Sequence, residues 1–126
     1  MNPLLHRILL VLVCAPFLQG GLVKTFDFSG AVGEMTHFGL QPAAVFAVLV
    51  IVLELVASAM VIADRGRAPA ALALAVFTVA ATFMANRFWT LDGMERFHAT
   101  NAFFEHFSIV GGLLLAAFVP LRRDTR

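Results

Sequence analysis

Few residues in this chain have the chemistry to do work, and most of them stand in apolar surroundings. Glu54 lies inside the hydrophobic run 42–63, roughly 18 Å along a helix from Pro42. A carboxyl at that depth in hydrocarbon needs a proton on it or a cation beside it. No Lys or Arg shares its depth when each span is measured from its own start. The expectation is therefore a protonated carboxyl bonded to a neighbouring helix, or else a proton relay or ligand contact. Glu105 lies nearer a surface, roughly 6 Å beyond Asn101. Lys24, Arg87 and His98 end at a similar depth, so an ion pair is expected there, structural or functional. The two carboxylates fall roughly 12 Å apart along the membrane normal, whereas a glycosidase pair needs about 5–10 Å. Glu54 and Glu105 are thus candidate proton-transfer groups and not a hydrolytic pair. Lys24, Asn86, Arg87, Asn101 and His106 are the candidate ligand-binding residues. His106 points about 100° away from Glu105 on a helix and reads first as a bonded interface histidine, second as a metal or haem ligand. No metal site is expected: the one cysteine, Cys14, rules out a CxxC pair, an internal disulfide and a multi-cysteine centre.

These residues need elements to hold them, and composition says which kind. Apolar residues make up 60% of the 126 and charged ones 13%, with a mean hydropathy of +0.89. A soluble domain is about half apolar and a quarter charged, so the solvent here is lipid. The net charge of +1, spread over segment ends, gives no footprint for nucleic acid. Four stretches reach the roughly 20 apolar residues that a crossing needs: 4–23, 42–63, 69–88 and 101–119. Pro42 and Pro69 open helices, where a missing N–H is harmless. Pro120 closes the last, and Pro16 should kink the first. The fold class predicted is all-α, a bundle of four transmembrane helices forming one domain over 1–126. Arg7 and the run 8–13 could mimic a signal peptide, but three further spans favour retention as the first crossing.

The connections carry the punctuation. Asp64-Arg65-Gly66-Arg67 is a tight turn. The segment 25–41, with Phe26, Phe28, Met35 and Phe38, is read as interfacial. Between 87 and 100, Trp89 suits a membrane boundary and Asp92-Gly93 signals a turn. One face collects Arg7, Arg65, Arg67, Arg122, Arg123 and Arg126, the other Lys24, Arg87 and Arg96. The richer face should be cytoplasmic, which puts both termini there and makes the chain a multi-pass protein of the cell inner membrane.

Polar and small residues fall on faces. The third helix has Ala71, Ala75, Thr78, Thr82 and Asn86. The fourth has Asn101, Glu105, Ser108 and Gly112. The second has Ala47, Val50, Glu54 and Ser58, and the first has Pro16, Gly20 and Lys24. Helix packing accounts for most of these, because small residues permit close approach and hydroxyls bond across interfaces. Glu54 is the residue it accounts for least.

In order along the chain, several short motifs resemble the DoxX family of small four-helix membrane proteins. They are Arg7 opening the first helix with Phe17, Gly20 and Lys24 closing it; Gly39-Leu40-Gln41-Pro42 before the second; and Glu54-Leu55 within it. Phe88-Trp89 after the third and the stretch 107–114, with its Gly111-Gly112 pair, complete the pattern. The chain departs from the family in having Val56-Ala57-Ser58 after the Glu-Leu, where glycine is common. Glu105-His106 stand where a Lys-Asn pair is frequent, and Asn86-Arg87 where a histidine is. The resemblance implies a membrane protein of redox surroundings: some members are subunits of a thiosulfate:quinone oxidoreductase, others accompany oxidative-stress complexes, and many have no assigned activity.

Three functions follow. The first is an accessory or subunit of a quinone-linked membrane redox system, in which Lys24, Glu54, Asn86, Arg87, Asn101 and Glu105 face inward around a quinone, with redox-complex subunits as partners. The second is a non-catalytic scaffold or assembly factor. The third, a small transporter, is disfavoured because no repeat or broken-helix pair is evident. Gly111-Gly112 would suit a homo-oligomer, which the sequence leaves open.

Overall fold

The computed structural model describes residues 2–119. Pro120, Arg122, Arg123 and Arg126, used above to end the last helix and to orient the chain, lie outside the described residues. Within them the chain is helical with no strand. Four helical stretches are long and apolar enough to cross a membrane: Pro3–Phe26, Ala43–Ala63, Arg67–Thr90 and Gly93–Phe118.

Helix α1 (Pro3–Phe26) starts on Asn2, whose side-chain oxygen accepts from the Leu4 N–H at 2.7 Å, with Pro3 harmless at the first position. It runs unbroken through Pro16. Helix α2 (Phe28–His37) fills the segment read as interfacial. Asp27 caps it through the Gly30 N–H, and Gly39 ends it at φ 76°, where a left-handed residue lets Leu40 donate to the Met35 carbonyl. Its buried residues Ala31 and Met35 pack on Ala43 and Ala47.

The second span is not one regular helix. Helix α3 (Ala43–Val52) passes into a π turn (Leu53–Ala57) and resumes as α4 (Ser58–Ala63). A π turn holds one extra residue in a helical turn and shifts the side chains that follow it; such turns are frequent at functional sites. Glu54 is inside it. The left-handed Asp64 and Gly66 then turn the chain into α5 (Arg67–Ala85). Here Arg67 bonds Asp64 at 2.7 Å and donates from Nε to the Ala116 carbonyl at 2.8 Å, tying this turn to the end of the last helix.

The third span starts two residues before the expected 69 and its α-helix ends at Ala85. A short 3-10 turn (Phe88–Thr90) follows. The last helix, α6 (Gly93–Phe118), begins eight residues before the expected 101. Hydropathy marks the hydrocarbon-crossing part of a helix, not its polar extension, which explains the difference. At about 39 Å α6 is longer than the roughly 30 Å hydrocarbon layer.

Two regions result. Towards the chain termini the bundle is closed: Leu10, Cys14, Val61, Ala71, Leu74 and Leu113 are buried together, with alanines letting the helices approach. Towards the opposite end, where α2 lies, the helices separate around a cavity.

Candidate functional site

Lys24 and Glu54 define the site. Lys24 ends α1, and its Nζ donates to Glu54 Oε1 at 3.0 Å. The Glu54 side chain is 7% exposed and that of Lys24 17%. This corrects the expectation that no cation shares the depth of Glu54. Measuring each helix from its own start ignores the lysine stem, which carries the ammonium several ångströms from its backbone, and the offset between helices. A neighbour makes room for the pair. A Cβ on Gly20 would sit 3.0 Å from Glu54 Oε2 and 3.3 Å from Lys24 Nζ. A Cβ on Gly21 would sit 2.6 Å from Leu55 Cδ2. The glycine pair of α1 therefore abuts the Glu-Leu of the π turn.

The pair lines a cavity of about 480 Å³, within the roughly 300–1,000 Å³ of small-molecule sites. Its walls are mostly apolar: Phe17 from α1, Met35 from α2, Phe46 and Val50 from α3, Phe77 and Met84 from α5. Besides the ion pair, the polar groups are Glu34, Thr78 and His106. Thr78 spends its hydroxyl on the Leu74 carbonyl at 2.7 Å. Glu34 is exposed while lining the cavity, so the cavity reaches the surface beside α2. Pro16, exposed on α1, lines it as well. His106 Nδ1 lies 2.7 Å from the Ala102 carbonyl. A carbonyl only accepts, so the ring carries its proton on Nδ1 and, when neutral, offers Nε2 as an acceptor.

Of the seven candidate residues, then, three meet in one cavity: Lys24, Glu54 and His106. Glu34 was missed; on an exposed helical turn it carries no sequence signal that separates it from a solvated acid. Asn86 stands outside, its amide donating to Thr82 Oγ1 at 3.1 Å. Arg87 lines a different cavity. Asn101 and Glu105 do not face inward. Both are exposed, as is Ser108, and Glu105 has no side-chain partner among the described residues. The reason is rotational: α6 meets the bundle through His106, Ile109, Val110, Leu113 and Ala117, a face that leaves the Asn101–Glu105–Ser108 stripe outside. Gly112, at the end of that stripe, does approach a neighbour: a Cβ there would meet Val13 Cγ2 at 2.9 Å.

Fold and site together define a multi-pass membrane helix bundle with a buried ion pair at the wall of a ligand-sized apolar cavity. The chain belongs to the DoxX family, whose model matches residues 3–87. That stretch contains the ion pair, Gly20, the π turn and most of the cavity wall, and it stops before His106. No curated protein and no solved structure matches the chain.

Proposed function

We propose that this protein is the quinone-binding component of a redox system in the cell inner membrane, with its termini on the cytoplasmic side. The observation that carries the reading is the cavity itself: an apolar cleft between helices whose wall holds a Lys–Glu pair and a histidine acceptor. Such a cleft suits a flat, apolar molecule with carbonyl oxygens. Lys24 can donate to one carbonyl, and Glu54 and His106 can give or take protons. Conversion of a quinone to its quinol takes up two electrons and two protons. The protons move between these side chains and the surface by way of Glu34 at the rim, and the electrons come from a partner subunit.

The test is binding of a short-chain ubiquinone analogue to the purified protein in detergent. Glu54→Gln keeps a side chain of the same shape, so loss of at least about ten-fold in affinity is expected, in line with removal of a charged hydrogen-bonding group. Equal affinity in the variant would remove Glu54 from the site, and no binding by the wild type would end the quinone reading.

One observation favours a second reading, a scaffold. The exposed Asn101–Glu105–Ser108 stripe of α6 is polar where lipid would be expected, and polar groups in hydrocarbon are costly. It suits a partner helix that brings a basic or donor side chain to Glu105. On this reading Glu105→Leu releases the partner from the purified complex, while Glu54→Gln does not.

A further inference from the structure

A second cavity, of about 460 Å³, adjoins the first at the end of the bundle remote from the termini. The two share Phe38, Met84 and Ala85 as walls, yet their polar groups differ in kind. Arg87, just after α5, and His37, in the last turn of α2, both line the second cavity, and no carboxylate does. Neither side chain has a hydrogen-bond or ion-pair partner among the described residues; the His37 ring only meets the edge of Phe38, with centroids 5.1 Å apart. The bundle thus leaves an exposed guanidinium and an exposed imidazole unbonded at the rim of one cleft.

The fork of five N–H donors on an arginine matches the oxygens of a phosphate, and a histidine ring adds another donor. The remaining wall is Phe38, Phe83, Met84, Ala85 and Leu91, with Thr90, whose hydroxyl is taken up by the Arg87 carbonyl at 2.7 Å. Trp89, in ring contact with Phe83, marks this level as a membrane boundary. A group that satisfies both halves of the cleft is a phosphate carried on an apolar stem. We propose that this cavity is a binding site for a phosphate group held by Arg87 and His37, supplied by an anionic lipid headgroup or by free phosphate. This inference does not depend on the quinone reading, because the two sites have different polar residues.

The test uses the full chain in neutral detergent, titrated separately with phosphatidylglycerol, phosphatidylcholine and inorganic phosphate, with bound species counted by native mass spectrometry. The wild type is expected to take phosphatidylglycerol about five-fold more tightly than phosphatidylcholine, the increment of one arginine near a membrane surface. Arg87→Gln should abolish that preference and Arg87→Lys should keep part of it. Arg96→Gln, which removes an exposed cation outside the cavity, should leave it unchanged. Competition by inorganic phosphate that is lost in Arg87→Gln would identify a soluble anion as the source; retention of lipid with no such competition would identify the membrane. Should Arg87→Gln fail to fold, His37→Gln still has to lower the preference by about two-fold, roughly one neutral hydrogen bond. Equal preference in wild type and Arg87→Gln, or an equal fall in Arg96→Gln, would overturn the site.

Discussion

The two ends of this bundle are made from the same helices and do opposite things. Near the termini, Leu74, Leu113, Val61 and Cys14 are fully buried between the helices, and Arg67 ties the turn before α5 to the last turn of α6. At the other end α2 packs on α3, and the same four spans line a cavity with an ion pair in its wall. The π turn stands at the divide. Ala57, its last residue, belongs to the closed core, and Glu54, one position from its start, belongs to the cavity. In lipid, where burial in another apolar medium gains little, shape and polar pairing decide which part of a bundle closes and which part stays open.

The largest effect is expected at the pair. Lys24→Met leaves Glu54 without its cation and should destabilise the protein by about 3 kcal/mol, the low end for breaking a buried pair because Lys24 is the more exposed partner. Thermal unfolding in detergent reads this. The double change Lys24→Met/Glu54→Leu should return most of the stability while ligand binding stays lost, separating the pair's structural part from its chemical one.

The next comparison sets like against like. Leu74→Ala in the closed half should cost about 2 kcal/mol or more, since it opens a hole that nothing fills. Leu40→Ala, at the wall of the existing cavity, should cost under about 1 kcal/mol, because the truncated side chain already borders free space. Equal losses would mean that the two ends are equally filled. Gly20→Val comes next in size. Its branched side chain would press on Glu54 Oε2 and Lys24 Nζ, at about 1–2 kcal/mol, within the range for overfilled sites, and it should weaken ligand binding more than its stability loss alone explains. The smallest effect belongs to Ser58, whose buried hydroxyl has only the weakly bonding Cys14 thiol beside it among the described residues. Ser58→Ala should change stability by no more than about 0.5 kcal/mol, because a thiol contact gains little beyond offsetting the hydroxyl's desolvation.

Much of this was legible in the sequence. Hydropathy located all four crossings, and the periodicity of Ala71, Ala75, Thr78 and Thr82 marked the face of α5 that is indeed buried. Glu54 announced itself as the charge that packing accounts for least. The pairing with Lys24 was hidden because sequence gives position along each helix but not the offset between helices. The π turn was hidden because one extra residue in a turn leaves no pattern in a uniformly apolar run. The premise that polar residues turn away from lipid puts Asn101 and Glu105 in the interior. They fall outside because α6 is anchored by His106, Leu113 and Ala117, and a helix can present only one face.

In the proposed function a small apolar carbonyl compound enters between the helices and rests against Glu54 and Lys24. The most direct measurement is photolabelling of the protein in lipid bilayers with an azido-quinone, followed by peptide mapping. Label is expected on Phe46, Met84 and Ile109 around the cavity, suppressed by unlabelled quinone and by Glu54→Gln. Label spread over outward residues such as Val76, Leu115 and Phe118, with no competition, would contradict it.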